Sequence, residues 1–142
     1  MASDLSRFVE AQDDDFDLAL AEIKAGRKQS HWMWYIFPQY KGLGFSENSK
    51  YYAIQDLQEA RDYLHHEVLG PRLKQITNEL LLLEEDDAGR IFGSPDNMKL
   101  RSGMTLFAMV DESDEGLFKK VLEKFFDGKP DSKTLTLIKE SC

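Results

Sequence analysis

The chain has 142 residues, 42% of them apolar and 31% charged, with a formal net charge of −8; it is long enough to bury a core without staples and too apolar to stay disordered. The negative balance argues against a nonspecific nucleic-acid coat or a protein held on anionic lipid by charge, since both need clustered Lys and Arg. The one cysteine, Cys142, leaves no intrachain disulfide and no thiolate metal cluster, as expected for a reducing compartment.

Met1 to Leu5 lacks a basic segment followed by an apolar one, and no run approaches the roughly 18 apolar residues that span a bilayer. The expectation is a cytoplasmic protein whose residues 1–142 form one domain. Leu5, Phe8 and Val9 recur at helical spacing behind Ser3 and Asp4, predicting a capped first helix to Gln12. Asp13, Asp14 and Asp15 then read as an interruption and as the acidic start of a second helix, with Phe16, Leu20 and Ile23 on its apolar stripe and Gly26 as its stop. Ser30 is expected to cap a third helix, His31 to Phe37, which Pro38 ends. Gln39 to Asn48, with Gly42 and Gly44, reads as a loop without the pattern of a phosphate loop.

Ser49 is expected to cap a short helix carrying Tyr51, Tyr52 and Ile54. Asp56 and Glu59 form an acidic capping box for a helix through Leu57, Ala60 and Leu64. Leu73, Ile76, Leu80 and Leu83 give the next helix a clear 3-4 period and mark it as a core helix, followed by a solvated turn from Glu84 to Asp87. Gly93 ends one helical turn, and Ser94 with Pro95 reads as the cap and first residue of a helix carrying Met98, Leu100, Met104, Phe107 and Met109. Leu117, Phe118, Val121, Leu122, Phe125 and Phe126 follow on another amphipathic helix stopped by Gly128, and Asp131 caps a last one through Leu135 and Ile138. No run alternates apolar and polar residues. The fold class is all-α, a helical array or orthogonal bundle of about seven to eight helices.

Two stretches carry unusual chemistry. The first runs from Arg27 and Lys28 through His31, Trp32, Trp34 and Tyr35, and reads either as core packing or as the wall of a pocket. The second holds Asp96, Lys99, Arg101 and Ser102 at a helix start, where free N–H groups and nearby cations suit an anion. If the two meet, Arg27, Lys28, Trp32, Trp34, Tyr35, Lys99, Arg101 and Ser102 are the candidate ligand-binding residues. Any acid–base chemistry would fall to His31, whose ordinary pKa lies near neutrality, and then to Asp96, which also reads as a helix-dipole residue paired with Lys99. Adjacent His65 and His66 do not share a helix face, so no metal site and no cofactor is expected.

Arg27-Lys28-x-Ser30-His31-Trp32-Met33-Trp34-Tyr35-Ile36-Phe37-Pro38-Gln39, Gly42-Leu43-Gly44-x-Ser46, Leu69-Gly70, Ile91-Phe92-Gly93-x-x-Asp96, Lys99-Leu100-x-Ser102-x-Met104-Thr105-Leu106-Phe107 and Phe125-Phe126-x-Gly128 together resemble a bacterial family of unknown function. The resemblance covers nearly the whole chain. It implies an all-helical array and brings no activity, substrate or catalytic residue. Members are sometimes labelled calpastatin, a label at odds with this composition, because such inhibitor segments are extended until they fold on their protease. Gly103 stands where the family pattern has a second Ser.

The leading functional expectation is a pocket lined by the Ser30–Gln39 and Ser94–Phe107 segments, taking a small anionic or nucleotide-like molecule. The alternative is a protein-interaction module with an acidic helical surface and no enzymatic activity. A homo-oligomer is compatible with either.

Overall fold

The computed structural model describes residues 4–141; Ser3, one of the expected first caps, and Cys142 lie outside them. Among the described residues the chain forms nine α-helices and no strand, with an isolated bridge between Tyr40 and Ile54. The helices are α1 (Ser6–Lys24), α2 (Met33–Ile36), α3 (Glu47–Tyr51), α4 (Leu57–His65), α5 (Leu69–Leu82), α6 (Ala88–Phe92), α7 (Asp96–Val110), α8 (Leu117–Phe126) and α9 (Ser132–Ser141). None is long and apolar enough to cross a membrane.

The expected break at Asp13–Asp15 is absent: α1 runs straight through it. Successive side chains on a helix point about 100° apart, so the three carboxylates need not face one another. Asp13 pairs with Arg72 of α5 at 3.0 Å and Asp15 accepts the Tyr35 hydroxyl, while Gln12 and Phe16 on the inner stripe are buried.

Local capping follows the sequence in α4 and α9. Asp56 accepts the Glu59 amide at 2.8 Å, and Asp131 accepts the Thr134 amide at 2.9 Å. Three expected caps are corrected. α3 is capped by Ser46 rather than Ser49; α2 begins only after Trp32, with no side-chain cap; and α7 begins after Pro95, so neither Ser30 nor Ser94 caps a helix.

α7 carries Leu100, Met104, Leu106, Phe107 and Val110 into the core, and α5 buries Leu73, Ile76 and Leu80. α5 packs on α1, α4 and α8; α7 packs on α4, α6, α8 and α9. One continuous hydrophobic core joins these faces, with Trp32, Tyr63, Phe8, Phe37, Phe107 and Phe118 its largest fully buried side chains. The departure from the family pattern at residue 103 sits at the crossing of α7 and the Phe37–Pro38 turn. A Cβ there would stand 2.9 Å from the Pro38 carbonyl oxygen and 3.4 Å from that of Phe37, so glycine permits the close approach.

Candidate functional site

The first unusual stretch is shaped by a residue outside it. Glu22, in the last turns of α1, accepts the amides of Gln29 (2.7 Å) and Ser30 (2.9 Å), the Ser30 hydroxyl (2.6 Å) and the Trp32 indole N–H (3.0 Å). Burial alone raises its pKa, but the Ser30 hydroxyl, the two amides and the indole outweigh that and hold the carboxyl at about 2. An anion so held bends the segment back on α1 and turns Trp32 inward, against Phe37 and Phe92. His31 therefore precedes α2, although the expected helix began with it. His31 is exposed, Trp34 half-buried and Tyr35 buried, its hydroxyl donating to Asp15 and to the His31 carbonyl. Burial and the Asp15 carboxylate raise the Tyr35 pKa well above its ordinary value.

The two unusual stretches do meet. The Lys28 amide donates to the Ile91 carbonyl at 2.7 Å, tying the segment to α6. Its ammonium, on a side chain only 7% exposed, donates to the Ser30 carbonyl, stands 2.9 Å from Asp96 Oδ2 and lies 5.1 Å from the Trp32 ring centre. Lys99, one turn along α7, reaches Asp96 Oδ1 at 3.3 Å and lies 5.3 Å from the Trp34 ring centre. Two ammonium groups thus share one carboxylate beside a half-buried indole, leaving a surplus of one positive charge on a chain of net −8.

Other candidates go elsewhere. Arg27 is exposed, its amide bonded to the Glu22 carbonyl. Arg101 reaches the α8–α9 connection, donating to the carbonyls of Lys129 (2.9 Å) and Pro130 (3.1 Å). Ser102 is buried and donates to Met98 O and Asp131 Oδ2, while Thr105 accepts the Asp131 amide at 2.8 Å. This part of the α7 motif fastens the start of α9. The expected free N–H groups at the α7 start are also occupied: Asn97 donates to Gly93 O, and Met98 and Lys99 donate to Pro95 O. At this seam Trp32 is fully buried and the Gly103 backbone lies close to the Pro38 carbonyl.

Among the described residues no group of three His, Cys, Asp or Glu side chains is placed to hold a metal. His66 Nδ1 accepts the amides of Val68 and Leu69, a cap for α5.

A profile of the proteins of unknown function grouped as DUF1810 matches residues 2–138. The chain belongs to the DUF1810 family. No curated protein matches the chain. A crystal structure in the family's fold, the conserved hypothetical protein Rv1873 from Mycobacterium tuberculosis, is 42% identical, covers 96% of each chain and superposes with a TM-score of 0.92. This likeness extends the DUF1810 helical array across the α1–α9 core, and it assigns no chemistry to the seam.

Sequence reasoning passed over Glu22 and read Asp15 only as part of an acidic helix start. An acidic residue late in an amphipathic helix looks like any solvated one, and only the return of the chain supplies its donors.

Proposed function

We propose that the outer edge of the Lys28–Asp96–Lys99 seam binds a small anionic, nucleotide-like molecule, and that it binds this ligand rather than transforming it. The observation that carries the reading is the sharing of one carboxylate by two ammonium groups beside Trp34. A phosphate or carboxylate would take up the surplus charge at Lys99, the more exposed of the two, in a setting less screened than open water. A planar group would lie along Trp34. Asp96 then positions the two ammonium groups, and exposed His31, at the start of the same segment, is the reserve donor to the anion. The continuous core supports a single domain acting as one unit, and the lack of cysteine before Cys142 supports a reducing, cytoplasmic setting.

Titration of tryptophan fluorescence with AMP, adenosine and inorganic phosphate tests it. AMP should quench, adenosine and phosphate should each bind more weakly, and Trp34→Phe should remove the signal that buried Trp32 cannot give. Lys99→Met should weaken AMP by about 10-fold or more, the worth of one charge-assisted hydrogen bond. No response to AMP, or an equal response in folded Lys99→Met, overturns the reading.

A further inference from the structure

The fastening of α9 leaves a gap. Arg101, Ser102 and Thr105 hold the Lys129–Asp131 turn and the start of α9 onto α7, while α8 packs on α7 and α5. Between α8 and α9 lies a hollow of about 520 Å³, within the roughly 300–1,000 Å³ of clefts that hold ligands. Its floor is Thr105, Ala108 and Met109 of α7, and its sides include Leu122 and Leu135, with Pro130 in the turn. Met109 is 48% exposed although it lies on a helix that is otherwise largely buried.

The polar residues of the hollow are placed unevenly. Lys119 and Glu123 of α8 stand in its lining, one charge of each sign. A second hollow of about 270 Å³ shares Ala108 and Lys119 with the first and continues into the α7–α8 loop, where Asp111 and Asp114 line it. That loop also carries Glu112 and Glu115. An apolar trough thus opens at one end onto an acidic loop.

We propose that this trough is a docking site for an amphipathic helical segment of another protein, its apolar stripe on Ala108, Met109 and Leu135 and its Lys or Arg residues over Asp111 and Asp114. A trough with one helix as floor and two as walls fits a laid-in helix, which anchors through residues spaced i, i+3 or i+4 and i+7. Methionine adapts its shape to such a stripe. Charge complementarity selects the partner: a chain of net −8 attracts a basic segment and repels a second copy of itself. The trough lies on the α8–α9 side of α7, away from the Lys28–Asp96 seam, so this inference stands or falls independently of the ligand reading.

The test is selection of a displayed library of random peptides, about 16 residues long or about 24 Å as helix, on the full chain. The best binder is then measured by fluorescence anisotropy. Enriched peptides should carry apolar residues at helical spacing flanked by Lys or Arg. Met109→Glu, a change at a half-exposed position, should weaken the best peptide at least tenfold. Asp111→Asn with Asp114→Asn should weaken it severalfold and flatten its salt dependence, whereas Lys99→Met should leave it unchanged. Failure to enrich, acidic winners, or equal binding by Met109→Glu overturns the proposal. So does a dimer in sedimentation that Met109→Glu disperses, because the occupant would then be a second copy.

Discussion

Replacing Glu22 by Gln isolates the anion that shapes the Lys28–Trp32 segment. The side chain keeps its size and one carbonyl oxygen, but the charge that draws in two amides, a hydroxyl and an indole is lost. The wild-type carboxyl is held at about 2 against an ordinary 4.5, and at about 1.4 kcal/mol per pH unit that gap corresponds to about 3 kcal/mol. Solvent at the outer side of the loop screens part of it, so about 2 kcal/mol is expected, or about 4–8 °C in Tm for a chain of this size. The sign follows from linkage. The folded-state pKa lies below the unfolded one, so the stabilisation is complete above pH 4.5 and is lost as pH falls through 2. Urea unfolding followed by tryptophan fluorescence, run near neutrality and at about pH 3, should show the gap between wild type and Glu22→Gln fall to less than half. A gap that is the same at both pH values, or below about 0.5 kcal/mol near neutrality, would refute the claim that the charge organises the segment.

Gly103→Ser forces a Cβ against the Pro38 carbonyl oxygen and should cost about 1–3 kcal/mol in urea unfolding; an unchanged midpoint would show that the crossing yields freely. Arg101→Ala removes two hydrogen bonds to the Lys129–Pro130 turn. It should speed amide exchange in α9 by the equivalent of about 1–2 kcal/mol while α1 and α5 keep their protection. In an alkaline titration Tyr35 and Tyr63 should not ionise in the ordinary tyrosine range. Burial raises both, Asp15 adds to the effect at Tyr35, and Gln12 partly offsets it at Tyr63. The stability tied to their neutral form is present below pH 10 and is lost as pH rises toward their folded values, so their tyrosinate absorbance should come only with unfolding. Early ionisation that Tyr35→Phe and Tyr63→Phe abolish without loss of structure would contradict this.

The readable parts of the site were those in which two residues answer to local spacing. Asp96 with Lys99 is an i, i+3 pair that the sequence displays, and the two unusual stretches do touch through Lys28 and Asp96. Arg101 sits only two positions beyond Lys99 on the same helix, yet it points at another neighbour, because residues two apart face different ways. Which neighbour each face meets depends on where α8 and α9 lie, and nothing in the α7 sequence states that. The trough is invisible for the same reason: Met109 and Leu135 look like ordinary members of apolar stripes until α8 and α9 are seen to leave space between them.

From its residue pattern alone this chain specified an all-helical fold, the caps at Asp56 and Asp131, and the apolar faces of α5, α7 and α8. Each depends on contacts within a few residues or on a repeat of about 3.6. Tertiary structure decided the rest. It carried α1 unbroken through three carboxylates, turned Trp32 inward onto Glu22, sent Arg101 to the α9 turn, and opened a trough between α8 and α9. Such outcomes turn on which distant donor reaches a buried acceptor and which backbones approach within one side chain of each other. Both are properties of packing between helices that no local period encodes.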